Sequence, residues 1–211
     1  GDAPIHYTLD GSEPTAASPR YTGPVEIGKS ARFRAKALRE GGENASYSRE
    51  FAFSKSTGRP AVLNTKPNDS YTFEGASLLV DGYHSRPVFT SGAWLGYLDE
   101  PLDVTIDMGG EQSYRSVELE TLAEKGDWIF PPSSVTVWVS DNGTDFTEVA
   151  SVTVPEAKAG DADGIGRYRM QFPETSARYL KVVAQNAAAI PAWHPGAGSK
   201  GFLFVDEIVV E

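Results

Sequence analysis

The stretch SVTVWVSDNGTDF, residues 134–146, reads as a strand and the turn that closes it. Val135, Val137 and Val139 alternate with Thr136 and Trp138, the two-residue period of a half-buried strand. Ser140-Asp141-Asn142-Gly143 then supplies the residues of a hairpin turn. The same grammar extends in both directions. Upstream, Leu78-Leu79-Val80 ends at Asp81-Gly82, Leu102 to Met108 alternates with Asp103, Thr105 and Asp107, and Val117 and Leu119 extend towards Leu122. Downstream come Phe146 to Val154, Tyr168 to Phe172, Arg178 to Val183 and Phe202 to Val210. Helical periodicity is nearly absent, and turn signals recur about every ten residues, the signature of an all-β sandwich. These runs predict an eight-stranded jelly roll of two antiparallel sheets for residues 58–211.

Residues 1–57 read as a smaller β unit. Ile5 to Leu9 alternates and stops at Asp10-Gly11, a turn signal. Val25 and Ile27 form a short apolar pair. Arg32, Arg34 and Lys36 share the wet face of the run Ala31 to Leu38, Gly41-Gly42 turns the chain, and Tyr47 to Ser54 returns. KSTGRPAVLNTK, residues 55–66, reads as the linker.

Composition bounds the function. The chain has 211 residues, 40% of them hydrophobic and 11% aromatic, enough for a packed core. It has no Cys, which excludes disulfides, thiol catalysis and Cys-based zinc sites. A net charge of −10 disfavours nucleic acid and anionic membranes as partners and suits neutral ligands or bound cations. No apolar run approaches the roughly 20 residues of a membrane helix, so membrane insertion is not expected.

Two resemblances follow from particular motifs. IHYTLDGSEPT, RYTGPVEI and RFRAKAL, within residues 4–54, resemble the immunoglobulin-like C-terminal domain that follows the catalytic barrel in chitobiases and β-hexosaminidases. The first strands of that domain are missing, which implies a partial Ig-like sandwich and an upstream catalytic domain in the same polypeptide. LVDG, DVTIDMG, SVTVWVSDNGTDF, ARYLKVVAQN and FVDEIVV resemble the discoidin, or coagulation factor 5/8 type C, family. GAWLGY and PAWHPGAGSKGFLFVDEI are similar to versions appended to bacterial glycoside hydrolases, β-hexosaminidase-like ones in particular. The resemblance implies a non-catalytic, carbohydrate-binding accessory region of a secreted, periplasmic or cell-surface enzyme, taking glycans of the GlcNAc, GalNAc or galactose type. Its alternative is a structural module that docks on the parent's barrel.

The loops supply Trp94, Tyr97, Trp128, Trp193, His194 and Arg86 for sugar contact. An aromatic ring meets a sugar's apolar face and planar polar groups meet its hydroxyls; the same rings also serve as plugs at the end of a sandwich core. Within Ile190 to Gly198, His194 is expected at the surface and Trp193 mostly buried. For metal, the discoidin-like resemblance implies one structural Ca²⁺ held by Asp81 in its Asp-Gly turn, Ser85 and Glu207, hard oxygen donors of the kind calcium takes. The plainer alternative is an Asp capping its own turn and a Glu paired with an Arg. For catalysis, Asp206 and Glu207 are neighbours on a strand, so alternation sends them to opposite faces and they make a poor pair. No nucleophile, zincin or nucleotide-binding motif is present, so no catalytic residues are assigned.

Overall fold

The computed structural model describes residues 3–39 and 45–211; the Gly41-Gly42 turn lies outside them. The chain divides into two compact units, Gly1–Phe53 with Gly82–His84, and Ser54–Asp81 with Ser85–Glu211.

The first unit is one antiparallel sheet in the order β1-β2-β3, with β1 at Ile5–Thr8, β2 at Ala31–Ala37 and β3 at Ser46–Phe51. One face stacks Tyr7 on Phe33 at 5.8 Å and Phe33 against Tyr47 at 6.2 Å. The other face carries the basic residues of β2. Lys36 pairs with Glu13 at 2.6 Å, Arg34 pairs with the same carboxylate, and Arg32 meets Glu50 at 3.2 Å. The Asp10-Gly11 turn forms as its residues dictate: the Asp10 carboxylate accepts from the Ser12 N–H at 3.0 Å and hydroxyl at 2.6 Å, and Gly11 takes φ +82°. Val25 and Ile27 form no strand; Pro24 and Gly28 bracket a segment too short to build a ladder.

The second unit holds β4 (Ala61–Leu63), β5 (Leu95–Tyr97), β6 (Leu102–Ala123), β7 (Ser134–Ser140), β8 (Thr147–Thr153), β9 (Gly164–Gln185) and β10 (Leu203–Val210). They run in the order β5-β10-β6-β9-β7-β8, with β4 on β6. The number is seven, not eight, for two physical reasons. Runs that read as separate strands are continuous, because β6 and β9 are each 22 residues long and bend without breaking. Leu78-Leu79-Val80, read as a strand end, closes a 3-10 helix, Gly75–Val80, that buries all three side chains. A strand on one sheet face would have buried alternate ones.

β6 changes partners along its length. Its first half pairs with β4 (Val62↔Thr105) and with the end of β9 (Ile106↔Leu180); its second half pairs with β10 (Val209↔Glu118) and the start of β9 (Leu119↔Tyr168). Register shifts between Asp107 and Gln112 and between Tyr114 and Ser116 mark the bend, where Gly109 takes φ +79°. Val104 and Ile106 from the first half and Val117 and Leu119 from the second enter the same fully buried core with Val137, Val182 and Ile208. The ladder therefore folds over and encloses its own core between two layers.

An ion pair fixes the bend. Arg178 donates to both Asp107 oxygens, Nε to Oδ1 at 3.0 Å and Nη2 to Oδ2 at 2.8 Å, and the Gly109 N–H adds a bond at 2.9 Å. The Arg178 bond, then the Gly109 N–H, hold the Asp107 carboxyl down at about 2. A depressed carboxyl contributes stability above its unfolded pKa and loses it in acid. The melting-temperature advantage of the wild type over Asp107→Asn is therefore expected to be full at neutral pH and to disappear between pH 3.8 and about 2. A difference that persists undiminished at the bottom of that window would mean that the ion pair does not hold the bend.

Candidate functional site

Strand ends bring three loops to one end of the second unit. β6 ends where β9 begins, at the pair Ala123↔Gly164. Ser133, entering β7, donates its N–H to Gln185 at the end of β9, and Phe130 donates to Phe202 just before β10. Loops 124–133, 154–163 and 186–202 therefore lie side by side, and they carry Trp128, Trp193 and His194.

His194 is the centre of this end, and it is buried at 8% exposure while Trp193 is 40% exposed and Trp128 42%. The expectation of a surface histidine over a mostly buried tryptophan is thus inverted. The reason is hydrogen bonding. The Gly196 N–H can only donate, so His194 Nδ1 accepts from it at 3.0 Å, and Nε2 carries the proton and donates to the Lys125 carbonyl at 2.9 Å. Both ring nitrogens are satisfied inside, so burying them costs little. Trp193 has one polar atom, and its Nε1–H reaches the Ala157 carbonyl at 2.9 Å, which leaves the ring free to face solvent. The imidazole meets Trp193 and Phe130 at 5.5 Å and Trp128 at 6.1 Å, all edge-to-face.

Trp128 is held in a left-handed conformation, φ 64° and ψ 26°. Outside glycine this costs of order 1–3 kcal/mol and persists only where the surroundings over-determine it. Here the Trp128 N–H donates to Lys125 at 3.0 Å, and its carbonyl accepts from Phe202 at 2.8 Å. Its indole lies on Gly196, where an added Cβ would stand 2.8 Å from Cζ2, so no other residue fits beneath it. Lys125 secures the turn from below. It is nearly buried, and its ammonium donates to the Asp161 carbonyl at 2.9 Å and to the Asp163 carboxylate. Burial works to raise Asp163, and the hydrogen bonds and charge of Lys125 outweigh it, so the net shift is downward.

The other residues expected at a sugar site lie elsewhere. Trp94 and Tyr97 are 0% exposed and cannot meet a ligand from solvent. Trp94 packs with Leu122, Ile129 and Phe204, and its Nε1–H donates to the Arg86 carbonyl at 3.0 Å. It is a core plug that pins the loop bearing the exposed Arg86. Tyr97 sits in β5 within the main core, and burial pushes its hydroxyl up.

Of the residues expected to hold a metal, Ser85 and Glu207 are buried and Asp81 is exposed. The Ser85 N–H donates to Asp206 Oδ2 at 2.7 Å, and its hydroxyl donates to the Ala93 carbonyl at 3.2 Å. Sequence reasoning takes Asp206 only as half of a poor catalytic pair and does not anticipate that it meets Ser85. Alternation sends Asp206 and Glu207 to opposite faces, but both are buried, at 1% and 0% exposure. β10 is covered on both faces from Leu203 to Ile208, so residues on opposite faces are both buried, and between Val205↔Thr121 and Ile208↔Leu119 a bulge gives it one residue more than β6. Burial, then the charges of Glu120 and Asp81, push the Asp206 carboxyl up to about 8 against the lowering bond from Ser85. Among the described residues no group of three or more His, Cys, Asp and Glu side chains is arranged to hold a metal ion by itself.

Comparison with known proteins gives two family matches. Residues 1–49 match the chitobiase/beta-hexosaminidase C-terminal domain, and residues 64–200 match the F5/8 type C domain. Among solved structures the chain is similar to chitosan-binding module 1 of a chitosanase/glucanase from Paenibacillus sp. IK-5, with 18% identity and a TM-score of 0.48 over 75% of this chain and 98% of that one. It is also similar to CpGH89CBM32-5 from Clostridium perfringens, solved with GalNAc-beta-1,3-galactose, with 16% identity and a TM-score of 0.47 over 72% and 93% of the two chains. A fucose-binding module from Streptococcus pneumoniae shares 20% identity at a TM-score of 0.46 over 75% and 94%. No curated protein matches the chain. The second family match covers more than half of the 211 residues, and the chain belongs to the F5/8 type C domain family.

Proposed function

We propose that this chain is a carbohydrate-binding accessory region of a glycoside hydrolase, and that it receives sugar on the rings of Trp128 and Trp193. The observation that carries this reading is a pair of half-exposed indoles held on either side of one buried histidine. Exposed aromatic faces with fixed orientation suit the apolar face of a pyranose, and fixing them before binding lowers the cost of ordering them. Membership of the F5/8 type C family supports the reading. The adjoining chitobiase/β-hexosaminidase stretch supports a β-N-acetylhexosaminidase-like parent that is secreted, periplasmic or on the cell surface, with its catalytic domain upstream. This chain is the binding part and not the catalyst, since Asp206 and Glu207 are closed to a substrate.

Calorimetry against glycans ending in GlcNAc, GalNAc or galactose tests the proposal. Trp128→Ala and Trp193→Ala are each expected to weaken binding by about 2 kcal/mol, as central aromatic contacts do. Their loss of stability should fall well short of the roughly 3–5 kcal/mol of a buried aromatic. Flat isotherms with every glycan would replace this reading with that of a module docking on the parent's barrel. His194→Phe keeps the ring contacts but leaves the Gly196 N–H unpaired and takes from the Lys125 carbonyl one of its two donors, the Trp128 N–H remaining; thermal denaturation should show a cost of about 1–3 kcal/mol for the orphaned N–H, and unchanged stability would remove His194 from its central position.

We further propose that one structural Ca²⁺ is held by Asp81, Ser85 and Glu207, with backbone carbonyls completing the all-oxygen shell that calcium accepts. What supports this is the donor chemistry. The buried Asp206 carboxyl accepts from the Ser85 N–H, buried Glu207 follows it in the same strand, and the charges of Glu120 and Asp81 add to the burial that raises Asp206. A bound divalent cation would offset that charge and tie the Asp-Gly turn to the last strand. An ion that binds only the folded state adds about 2.7 kcal/mol at a hundredfold excess over Kd. Chelation should therefore lower the melting temperature, and Asp81→Ala should abolish the response; identical melting curves with and without chelator would dispose of the ion.

A further inference from the structure

Beside Trp193, the same end of the second unit holds a groove of about 330 Å³. Its walls come from three segments: Phe130 to Ser133, Val154 to Ala157, and Ala187 to Ala192. It is continuous with the tryptophan. Ala157, whose carbonyl holds the Trp193 Nε1–H, lines it, and so does Phe130, whose ring lies 6.4 Å from the indole. Three features specify what would occupy it. The side chains are small or rigid, mostly alanines and prolines, so the walls lose little freedom on contact. Glu156 is the only charged residue in the lining, in a chain of net charge −10, which disfavours an anionic guest. Finally, the peptide groups of Ala187, Ala188 and Ala189 make no hydrogen bond with any of the described residues. That wall is apolar in its methyl groups and polar in its backbone, and the free N–H and C=O groups of successive residues match a ligand amide.

We propose that this groove is a second subsite, for an uncharged N-acetylated sugar unit whose neighbour in the same chain rests on Trp193. The acetamido methyl meets the alanine and proline side chains, and the amide pairs with the Ala187–Ala189 backbone. The protein therefore reads a short N-acetylated oligosaccharide and not only its terminal residue. This rests on the carbohydrate reading above, and the experiment separates the two.

The intact chain is titrated with GlcNAc, with its β-1,4-linked N-acetylated trimer, and with the corresponding neutral glucose trimer and cationic glucosamine trimer. The N-acetylated trimer is expected to bind about tenfold or more tightly than the monosaccharide, and the two trimers without acetamide to gain less than about twofold. Ala188→Trp, which fills the groove from an exposed position, should reduce the ratio of trimer to monosaccharide affinity to about one; Ala192→Tyr on another part of the wall serves if the first variant does not fold. Equal affinities for trimer and monosaccharide in the wild type, or a gain that survives a filled groove, would overturn the second subsite while leaving the Trp128–Trp193 site standing. Equal gains for all three trimers would overturn the reading of the acetamide. Absence of binding by every sugar would overturn both proposals together.

Discussion

The β6–β9 ladder is the constraint on which the second unit depends. Two 22-residue strands pair along nearly their whole lengths and bend together, so one continuous set of backbone hydrogen bonds serves both layers of the sandwich. The bend brings Ile106 and Leu119 into one core without a chain break. It also fixes where the loops go. Because Ala123 and Gly164 are partners, the loops on either side of them cannot separate, and the aromatic end of the unit inherits its position from the ladder.

The aromatic end is arranged around polar accounting rather than apolar burial. A histidine with both nitrogens engaged can sit inside, whereas the tryptophans, with one N–H each, can keep a face in water. Trp128 also carries an unfavourable backbone conformation that its neighbours enforce. Strain of this kind favours a role at a surface that works, since a loop selected only for stability would have glycine or asparagine at that position.

Much of the fold is legible in the sequence. The two-residue period of Val135 to Val139 and of Leu102 to Met108 survives intact in the structure, and turn chemistry marks Asp10-Gly11 and Asn142-Gly143. The bends are not legible, because polar and apolar residues continue to alternate on both sides of them and nothing local marks which runs join. The 3-10 helix at Leu78 to Val80 has the length and composition of a short buried strand. At the candidate site, residue types identify the rings but not their exposure. Trp94 and Trp193 occur in similar Ala-Trp contexts, yet one is a plug and the other half exposed, a difference set by packing from distant segments. The burial of both Asp206 and Glu207 follows from a strand covered on both faces, and that cover comes from distant segments the local sequence does not show.

The separation of the indoles into inside and outside has a spectroscopic consequence. Trp94 lies wholly in the core and Trp138 is partly buried in β7, while Trp128 and Trp193 keep a face in water. An indole's excited-state dipole is relaxed by mobile solvent, so intrinsic emission from this protein is a composite of a blue component and a red one. A soluble quencher would reach the red component first. The protein thus carries its own optical label at the end of the sandwich where the two loops meet, and any molecule that covers those rings would report its arrival through the colour of the light.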